Sequence, residues 1–394
     1  MGKKHNILWT RNYILFFISN LLINTGTQFL IPTLPLYAMS VLAADQSQVG
    51  YHLGVYSFAA LLIRPFSGYA YDNLGRKKMF QISIFFFVLL TFLYPFTLNF
   101  FMLMLLRLLH GIFFGMTSTG GGAIVGDIVT AERRAEGVGY YSLSNSLAMS
   151  IGPALGLAIL GVNRYNYLFV STGILVALAL LFAGLISYPQ HSWGKKKLDL
   201  TSFFEKRVIS VSFIMLLVGV VLGGLMTYVI VYSQERGIKN SSLFYLLNTV
   251  GVVLTRFFAD KVVEERGPSL ILLPGFIIFA AGFITLAFSN GVFLFLMAAF
   301  LLGLGNGIIL PTLQTMVINL VEPSSRGVAN STFFAALDIG IGGGSIVLGR
   351  LTGLITLQMM FLISGLFVTL PLSFYYLYVA KDYERKLAAN KVGK

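Results

Sequence analysis

The chain has 394 residues, of which 56% are apolar and 11% are charged. Soluble domains average about 45–50% apolar and about 25% charged residues, so this composition excludes an ordinary soluble domain. A mean hydropathy of +0.81 leads to the same conclusion. Because the chain contains no cysteine, disulfide bonds and thiolate metal sites are also excluded.

Apolar runs of about 20 residues, the length that crosses a bilayer, recur along the chain. They predict an all-α polytopic membrane protein, because a β-barrel would show alternating segments of about ten residues. The first run lacks a signal-peptide cleavage site and is predicted to be retained as a span. Twelve transmembrane helices are predicted, starting near residues 12, 49, 79, 101, 138, 166, 207, 242, 270, 292, 328 and 356.

A polar segment at 189–206 contains three consecutive lysines and predicts a cytosolic linker. It would separate an N-terminal six-helix bundle at 1–188 from a C-terminal six-helix bundle at 207–394. With the N-terminus inside, 21 of the 28 Lys and Arg residues fall on the cytosolic side and four on the outer side. This positive-inside bias predicts that both termini are cytosolic, and it accounts for the +13 net charge without nucleic acid.

The two halves of the chain repeat at a shift of 192 residues. An even number of spans in each half makes the two bundles parallel repeats, an architecture typical of transporters. Residues of the same type coincide under this shift at Arg64 and Arg256, Phe66 and Phe258, Gly75 and Gly267, Gly111 and Gly303, Gly115 and Gly307, and Arg134 and Arg326.

Three motifs stand out along the chain. The pattern G-x-x-x-D-x-x-G-R-K lies in the loop between spans 2 and 3, at Gly68, Asp72, Gly75, Arg76 and Lys77. Span 4 carries R-x-x-x-G at Arg107 and Gly111, and span 5 carries a glycine pattern at Gly139, Gly152, Pro153 and Gly156. With these motifs the chain resembles the major facilitator superfamily over essentially its whole length. The span 5 pattern resembles the antiporter motif of that family, in which two glycines are replaced here, one by Leu157 and, more mildly, one by Ala148.

The resemblance implies the major facilitator fold and export of a small-molecule substrate by proton antiport. Its twelve-span proton-driven exporters carry the antiporter motif. We therefore expect a monomer in the cell membrane, with the lipid bilayer, protons and one solute as its partners. No cofactor, metal or nucleic acid is expected.

The loop motif predicts a conformational latch on the cytosolic side. Asp72 would accept hydrogen bonds at the N-terminus of a neighbouring helix, which is span 11 in the family. Gly68 would allow close helix approach, and Gly75 would adopt a positive φ. The resemblance implies Asp127 as the partner of Arg76. The alternative is a plain basic loop that obeys the positive-inside rule.

Three ionisable residues inside spans are candidates for proton coupling, because charges within the bilayer are costly. Arg107 would bind an anionic group or tune a nearby acid, or else hold helices together. Asp338 would load and release a proton, or remain a structural acid. His110 would titrate with Arg107, or pack as a hydrogen-bonded histidine.

Spans 1, 4, 7 and 10 line the substrate pocket in this family. Span 1 carries no acid, so with Arg107 the pocket favours neutral, zwitterionic or anionic amphipathic solutes over lipophilic cations. The candidate substrate-binding residues are Asn20, Asn24, Gln28, Arg107, Phe114, Tyr228, Tyr232, Asn306 and Gln314.

Other functions remain open on the sequence. An importer, a siderophore exporter or a lipid or glycolipid flippase would keep the same fold. A receptor or scaffold would not need Arg107 and Asp338. An enzyme is disfavoured, since neither a nucleophile–base pair nor a phosphate loop is found.

Overall fold

The computed structural model describes residues 8–130, 133–161, 164–188, 204–256, 262–263, 265, 267–322 and 325–392. Within these ranges, the side chains of Asp72, Arg134, Ala135, Arg256 and residues 387–392 lie outside the description. The described residues form helices and connecting turns without a β-strand. The α-helices are α1 (Arg11–Ser40), α2 (Gln46–Val49), α3 (Tyr51–Leu74), α4 (Arg76–Leu93), α5 (Phe100–Ile128), α6 (Arg134–Leu160), α7 (Tyr165–Gly184), α8 (Ile209–Glu235), α9 (Leu243–Arg256), α10 (Pro268–Ala287), α11 (Val292–Asn319), α12 (Arg326–Leu351), α13 (Leu357–Phe367), α14 (Thr369–Phe374) and α15 (Ala380–Val392).

Ten of the described helical segments are long and apolar enough to cross a membrane. A shorter apolar helix covers Leu243–Thr255, and α3 is not among the ten. The prediction of an all-helical, multi-pass membrane protein is thus confirmed. The count of twelve spans stays a prediction.

Helix boundaries follow the 192-residue repeat. The helices α4, α5, α6 and α7 begin at Arg76, Phe100, Arg134 and Tyr165, and the helices 192 residues later begin at Pro268, Val292, Arg326 and Leu357. The boundaries have local causes. Side chains cap several helix starts, since Thr10 accepts from the Tyr13 amide and Asn99 from the Met102 amide.

The chain divides into two compact units. The first comprises Met1–Ala43 and Val55–Leu198. In it, α1 packs against α6 and α7, and α4 packs against α5 and α7. Buried aromatic rings, among them Phe16, Phe80 and Phe87, form its core with aliphatic side chains.

The second unit comprises Ala44–Gly54 and Asp199–Lys394. In it, α8 packs along α12, and α11 packs between α9 and α10. The contact between α8 and α12 is close because a Cβ at Gly344 would overlap the backbone of Val220.

Residues 44–54 belong to the second unit, although the predicted N-terminal bundle at 1–188 included them. Ser345 Oγ donates a hydrogen bond to the Gly50 carbonyl over 2.6 Å. The Tyr228 hydroxyl donates to the Gln46 carbonyl over 2.9 Å. Hydrogen bonds from α8 and α12, together with small residues, therefore hold residues 44–54 in the second unit. Most of the predicted linker, residues 189–203, lies outside the described residues.

Candidate functional site

The loop between α3 and α4 has the backbone conformation that its glycine predicts. The helix α3 ends at Leu74, and α4 begins at Arg76. Gly75 between them has a φ of +99°, a conformation that side chains disfavour. Its repeat mate, Gly267, has a φ of +80° and precedes α10 in the same way.

The structure brings Arg76 and Asp127 together. Arg76 Nη1 lies 2.5 Å from Asp127 Oδ2, and both side chains are 15% exposed. The same Nη1 donates to the Ala123 carbonyl over 2.9 Å. The guanidinium therefore ties the start of α4 to the last turns of α5. Whether this pair acts as a latch stays a prediction.

The other latch residues differ in their surroundings. The Lys77 ammonium lies 5.8 Å from the centre of the Tyr188 ring. Burial raises the pKa of the Tyr188 hydroxyl, so the ring stays neutral and the contact is a cation–π contact. Among the described residues, a Cβ at Gly68 would meet no atom within 4 Å, and the close helix approach at this glycine stays a prediction. The Asp72 side chain lies outside the described residues.

Tyr71 is a residue of this region that sequence reasoning missed. Its side chain is buried, and its ring occupies the space beside Gly120 of α5. A Cβ at Gly120 would overlap that ring. Tyr71 therefore places the end of α3, and with it the loop motif, against α5. A tyrosine in an apolar run gives no such signal unless the glycine opposite it is known.

Arg107 is fully buried within the first unit. Its guanidinium carbon lies 4.0 Å from the centre of the Tyr56 ring, which is a cation–π contact. The Arg107 side chain also lies beside the Tyr94 hydroxyl. Tyr56 reaches this position because α3 and α5 approach closely: a Cβ at Gly111 would overlap the Tyr56 carbonyl. Phe114, two turns after Arg107, lies against the other side of this cluster, with its ring centre 5.3 Å from that of Tyr56.

His110 lies one turn after Arg107 and is also fully buried. Its Nδ1 is 2.8 Å from the Tyr94 hydroxyl, and its Nε2 is 3.5 Å from Thr91 Oγ1. The ring centres of His110 and Phe87 are 3.9 Å apart. Neither Tyr94 nor Thr91 was predicted from the sequence, although Phe87, Thr91 and Tyr94 have the spacing of one helix face.

The polar residues of α1 join an amide cluster with α6. Asn20 Nδ2 lies 2.6 Å from Ser144 Oγ and 2.7 Å from Asn145 Oδ1. Asn24 Nδ2 donates to Asn20 Oδ1 over 3.1 Å. Asn20 is nearly buried, whereas Asn24 and Gln28 are half-buried. The α6 partners were not predicted.

The antiporter motif lies on α6, and its residues have different roles in packing. A Cβ at Gly156 would lie 2.7 Å from Phe29 Cα, and one at Gly152 would lie 2.5 Å from Gln28 Cβ. Pro153 is buried between them. The motif therefore lets α6 approach α1. Gly139 is exposed and open, so it makes no such contact.

Asp338 is half-buried on α12. It lies on a helix face that is formed by residues three or four positions apart. Two turns further along this face, Ser345 contacts Gly50. Asp338 is therefore on the same helix face as the contact with residues 44–54, about two turns earlier in the chain. The residues of this face are Ser331, Phe334, Asp338, Gly342 and Ser345.

Tyr228 and Tyr232, two of the residues predicted to bind substrate, are buried in this structure. Their hydroxyls donate to the carbonyls of Gln46 and Ala287. Their contact with a substrate stays a prediction. Asn306 and Gln314 are half-buried, and Gln314 Nε2 lies 3.4 Å from Asn330 Oδ1.

The chain belongs to the major facilitator superfamily. The sequence profile of that family matches residues 16–267 and 240–393, which together cover most of the chain. This match confirms the resemblance that the loop and span motifs indicated. The chain is accordingly a membrane transporter and not an enzyme.

Two relatives of the chain are named for export or resistance. The staphylopine export protein of Staphylococcus aureus is 25% identical over 345 residues, covering 83% of this chain and 86% of the relative. The quinolone resistance protein NorA of the same species is 26% identical over 333 residues, covering 82% and 85%.

A solved structure shares the fold. A bacterial homologue of the human lysosomal transporter Spinster, in an inward-facing and unoccupied conformation, matches with a TM-score of 0.79. It is 15% identical and covers 98% of this chain and 99% of its own. At this identity the likeness concerns the fold alone.

Proposed function

We propose that the chain exports a small amphipathic solute in exchange for protons. Two six-helix bundles with twelve spans in total would provide alternating access in the cell membrane, with both termini cytosolic and the protein acting as a monomer. The names of both curated relatives, one an export protein and one a resistance protein, support the direction.

The observation that carries the proposal for the solute is the burial of Arg107 in a chain whose first helix contains no acid. A buried guanidinium stacked on Tyr56 attracts carboxylate or phosphate groups. The amide cluster at Asn20 and Asn24 would bind uncharged polar groups. These features favour neutral, zwitterionic or anionic solutes.

Asp338 is the proposed proton carrier. It is half-buried on the helix face that also contacts residues 44–54. A carboxyl group whose surroundings alternate between dry and solvated changes its proton affinity, because burial disfavours its charged form. In the proposed cycle, the pair of Arg76 and Asp127 would hold the cytosolic ends of α4 and α5 together in one state.

The experiment that tests this proposal is solute-induced proton flux in proteoliposomes. An internal pH indicator is followed while antibiotics, siderophores, sugars and lysolipids are screened under proton gradients of either direction. We expect at least one solute to discharge the gradient. Solute transport that ignores every imposed pH gradient would refute antiport, and uptake in right-side-out against inverted vesicles would separate an importer from an exporter.

Asp338→Asn is the decisive variant. We expect it to lower proton flux by at least about tenfold, since the amide cannot carry a proton. Solute binding should remain. Glu384→Gln, at an exposed acid of α15, is the matched control and should retain the flux of the unmodified protein. Unchanged proton coupling in Asp338→Asn would assign the role to another group.

A further inference from the structure

In the polar cluster behind Arg107, one assignment of the hydrogen bonds gives every hydroxyl and imidazole hydrogen a partner. Arg107 has donors and no acceptor, so toward the neighbouring guanidinium the Tyr94 hydroxyl can act only as an acceptor. A tyrosine hydroxyl carries one hydrogen. That hydrogen is then available for the only other neighbour that the structure gives the hydroxyl, His110 Nδ1 at 2.8 Å. When this hydrogen is used there, Nδ1 is the acceptor.

This assignment fixes the rest of the imidazole. A neutral histidine whose Nδ1 accepts carries its hydrogen on Nε2. Nε2 faces Thr91 Oγ1 at 3.5 Å, a long and weak contact. The Thr91 hydroxyl donates to the Phe87 carbonyl over 2.8 Å, which leaves its oxygen free to accept from Nε2. The chain of hydrogen bonds thus runs from Arg107 to the backbone of α4.

The surroundings of the imidazole agree with a neutral ring. The ionisable groups that the structure places around it are Arg107 from α5, Tyr94 from the turn after α4, and Tyr56 from α3. A second positive charge beside a buried guanidinium would have no carboxylate in this group to offset it. Phe87 covers one face of the ring.

We propose that Tyr94, His110 and Thr91 are positioning residues that orient Arg107 through this directed chain, with His110 neutral and protonated on Nε2. This rests on the proposed place of Arg107 in the substrate pocket. The guanidinium is held in one orientation against Tyr56, so its N–H groups are oriented before an anionic group binds. Such preorganisation lowers the entropic cost of binding.

This role differs from that of a proton carrier, and the difference decides the choice of variants. In His110→Asn, the amide oxygen occupies the place of Nδ1 and still accepts from Tyr94, but the side chain cannot titrate. In His110→Leu, the acceptor is lost. Tyr94→Phe removes the link between the two residues. Tyr165→Phe is the matched control, because this tyrosine of the same unit donates to or accepts from Ser40 over 2.8 Å and is not part of the chain.

The first measurement does not depend on transport. The chain has four histidines, at His5, His52, His110 and His191, so nitrogen-15 labelling of histidine gives few signals. The signal lost in His110→Asn identifies His110. We expect it to show the neutral Nε2–H tautomer from pH 5 to 8, and a mixture of tautomers in Tyr94→Phe. A signal that titrates in this range, or an Nδ1–H tautomer, would overturn the assignment.

The second measurement is transport of an anionic solute by the same variants. We expect Tyr94→Phe and His110→Leu to raise KM about tenfold, the loss typical of one hydrogen bond to a charged group. His110→Asn and Tyr165→Phe should stay within about threefold, with the pH profile of the unmodified protein. Loss of transport in His110→Asn with normal folding would make His110 a proton carrier and refute the positioning role.

The outcomes separate this inference from the proposed function. If the unmodified protein transports no solute, the proposed function fails while the tautomer still tests the hydrogen-bond chain. If transport is present and Arg107→Ala leaves KM unchanged, the place of Arg107 in the pocket is wrong. If Arg107→Ala raises KM and Tyr94→Phe does not, the positioning inference alone is wrong.

Discussion

At the scale of single residues, Arg76 joins two interactions on one nitrogen. Its Nη1 contacts the Asp127 carboxylate and the Ala123 carbonyl. Both partners come from the last turns of α5. Removing either side chain leaves a partly buried charge with one interaction fewer, which costs more than the loss of an exposed ion pair.

We expect Asp127→Asn and Arg76→Gln each to lower the stability of the purified protein by about 1–2 kcal/mol. The double variant should lose less than the sum of the two, because the second substitution no longer breaks a formed pair. Apparent melting temperatures in detergent measure this cycle. Additive losses would mean that the two side chains do not interact.

Residue-scale predictions from the sequence succeeded where a residue type has a narrow physical use. The positive φ of Gly75 is of this kind, whereas Asp127 as the partner of Arg76 was implied by the family resemblance. Tyr71 and Tyr94 were not predicted. An aromatic residue in an apolar helix is compatible with lipid, core or polar contacts, and only the opposite helix decides among them.

At the scale of helices, the antiporter motif works through the contact between α6 and α1. Gly156 meets backbone atoms of Phe29, which cannot move as a side chain could. Gly139, on the same helix, faces open space. The two glycines therefore form a natural pair of test and control positions.

We expect Gly156→Ala to destabilise the protein by about 1–3 kcal/mol, the range for overpacking a close contact. Gly139→Ala should be neutral or stabilising by up to about 1 kcal/mol, because alanine favours helix. Thermal unfolding followed by tryptophan fluorescence or light scattering compares the two. Equal losses in both variants would show that helix propensity, and not the contact with α1, governs this motif.

Hydropathy predicted the helices well because a span needs a long apolar run, and starts near residues 101, 292 and 328 lie within two residues of the observed ones. It did not predict that residues 44–54 pack in the second unit. That assignment depends on hydrogen bonds such as the one from Ser345 to Gly50, and hydropathy carries no information on them.

At the scale of the whole molecule, the distribution of cations makes a topological prediction that the chain itself makes simple to test. The chain has no cysteine, so a variant with one introduced cysteine has a single thiol to label. Lys78 lies in the first turn of α4, at the end expected in the cytosol, and Lys239 lies between α8 and α9 on the expected outer side. Both residues are exposed.

We expect Lys239→Cys to react with a membrane-impermeant maleimide in intact cells. Lys78→Cys should react only after the membrane is permeabilised, because the positive-inside rule places it in the cytosol. The extent of labelling on a gel is the readout. The reverse pattern would invert the topology, and with it the direction of transport that the relatives support.

The repeat that aligns the helix starts also allows the polar cluster of the first unit to be compared with the equivalent positions of the second unit. The residues 192 positions after Thr91, Tyr94, Arg107 and His110 are Phe283, Leu286, Ala299 and Leu302, all fully buried. The equivalent helices of the second unit thus pack apolar side chains at these four positions. The two halves therefore use one helix register in two ways: the first unit buries a charged, hydrogen-bonded cluster there, and the second buries apolar side chains at the same positions.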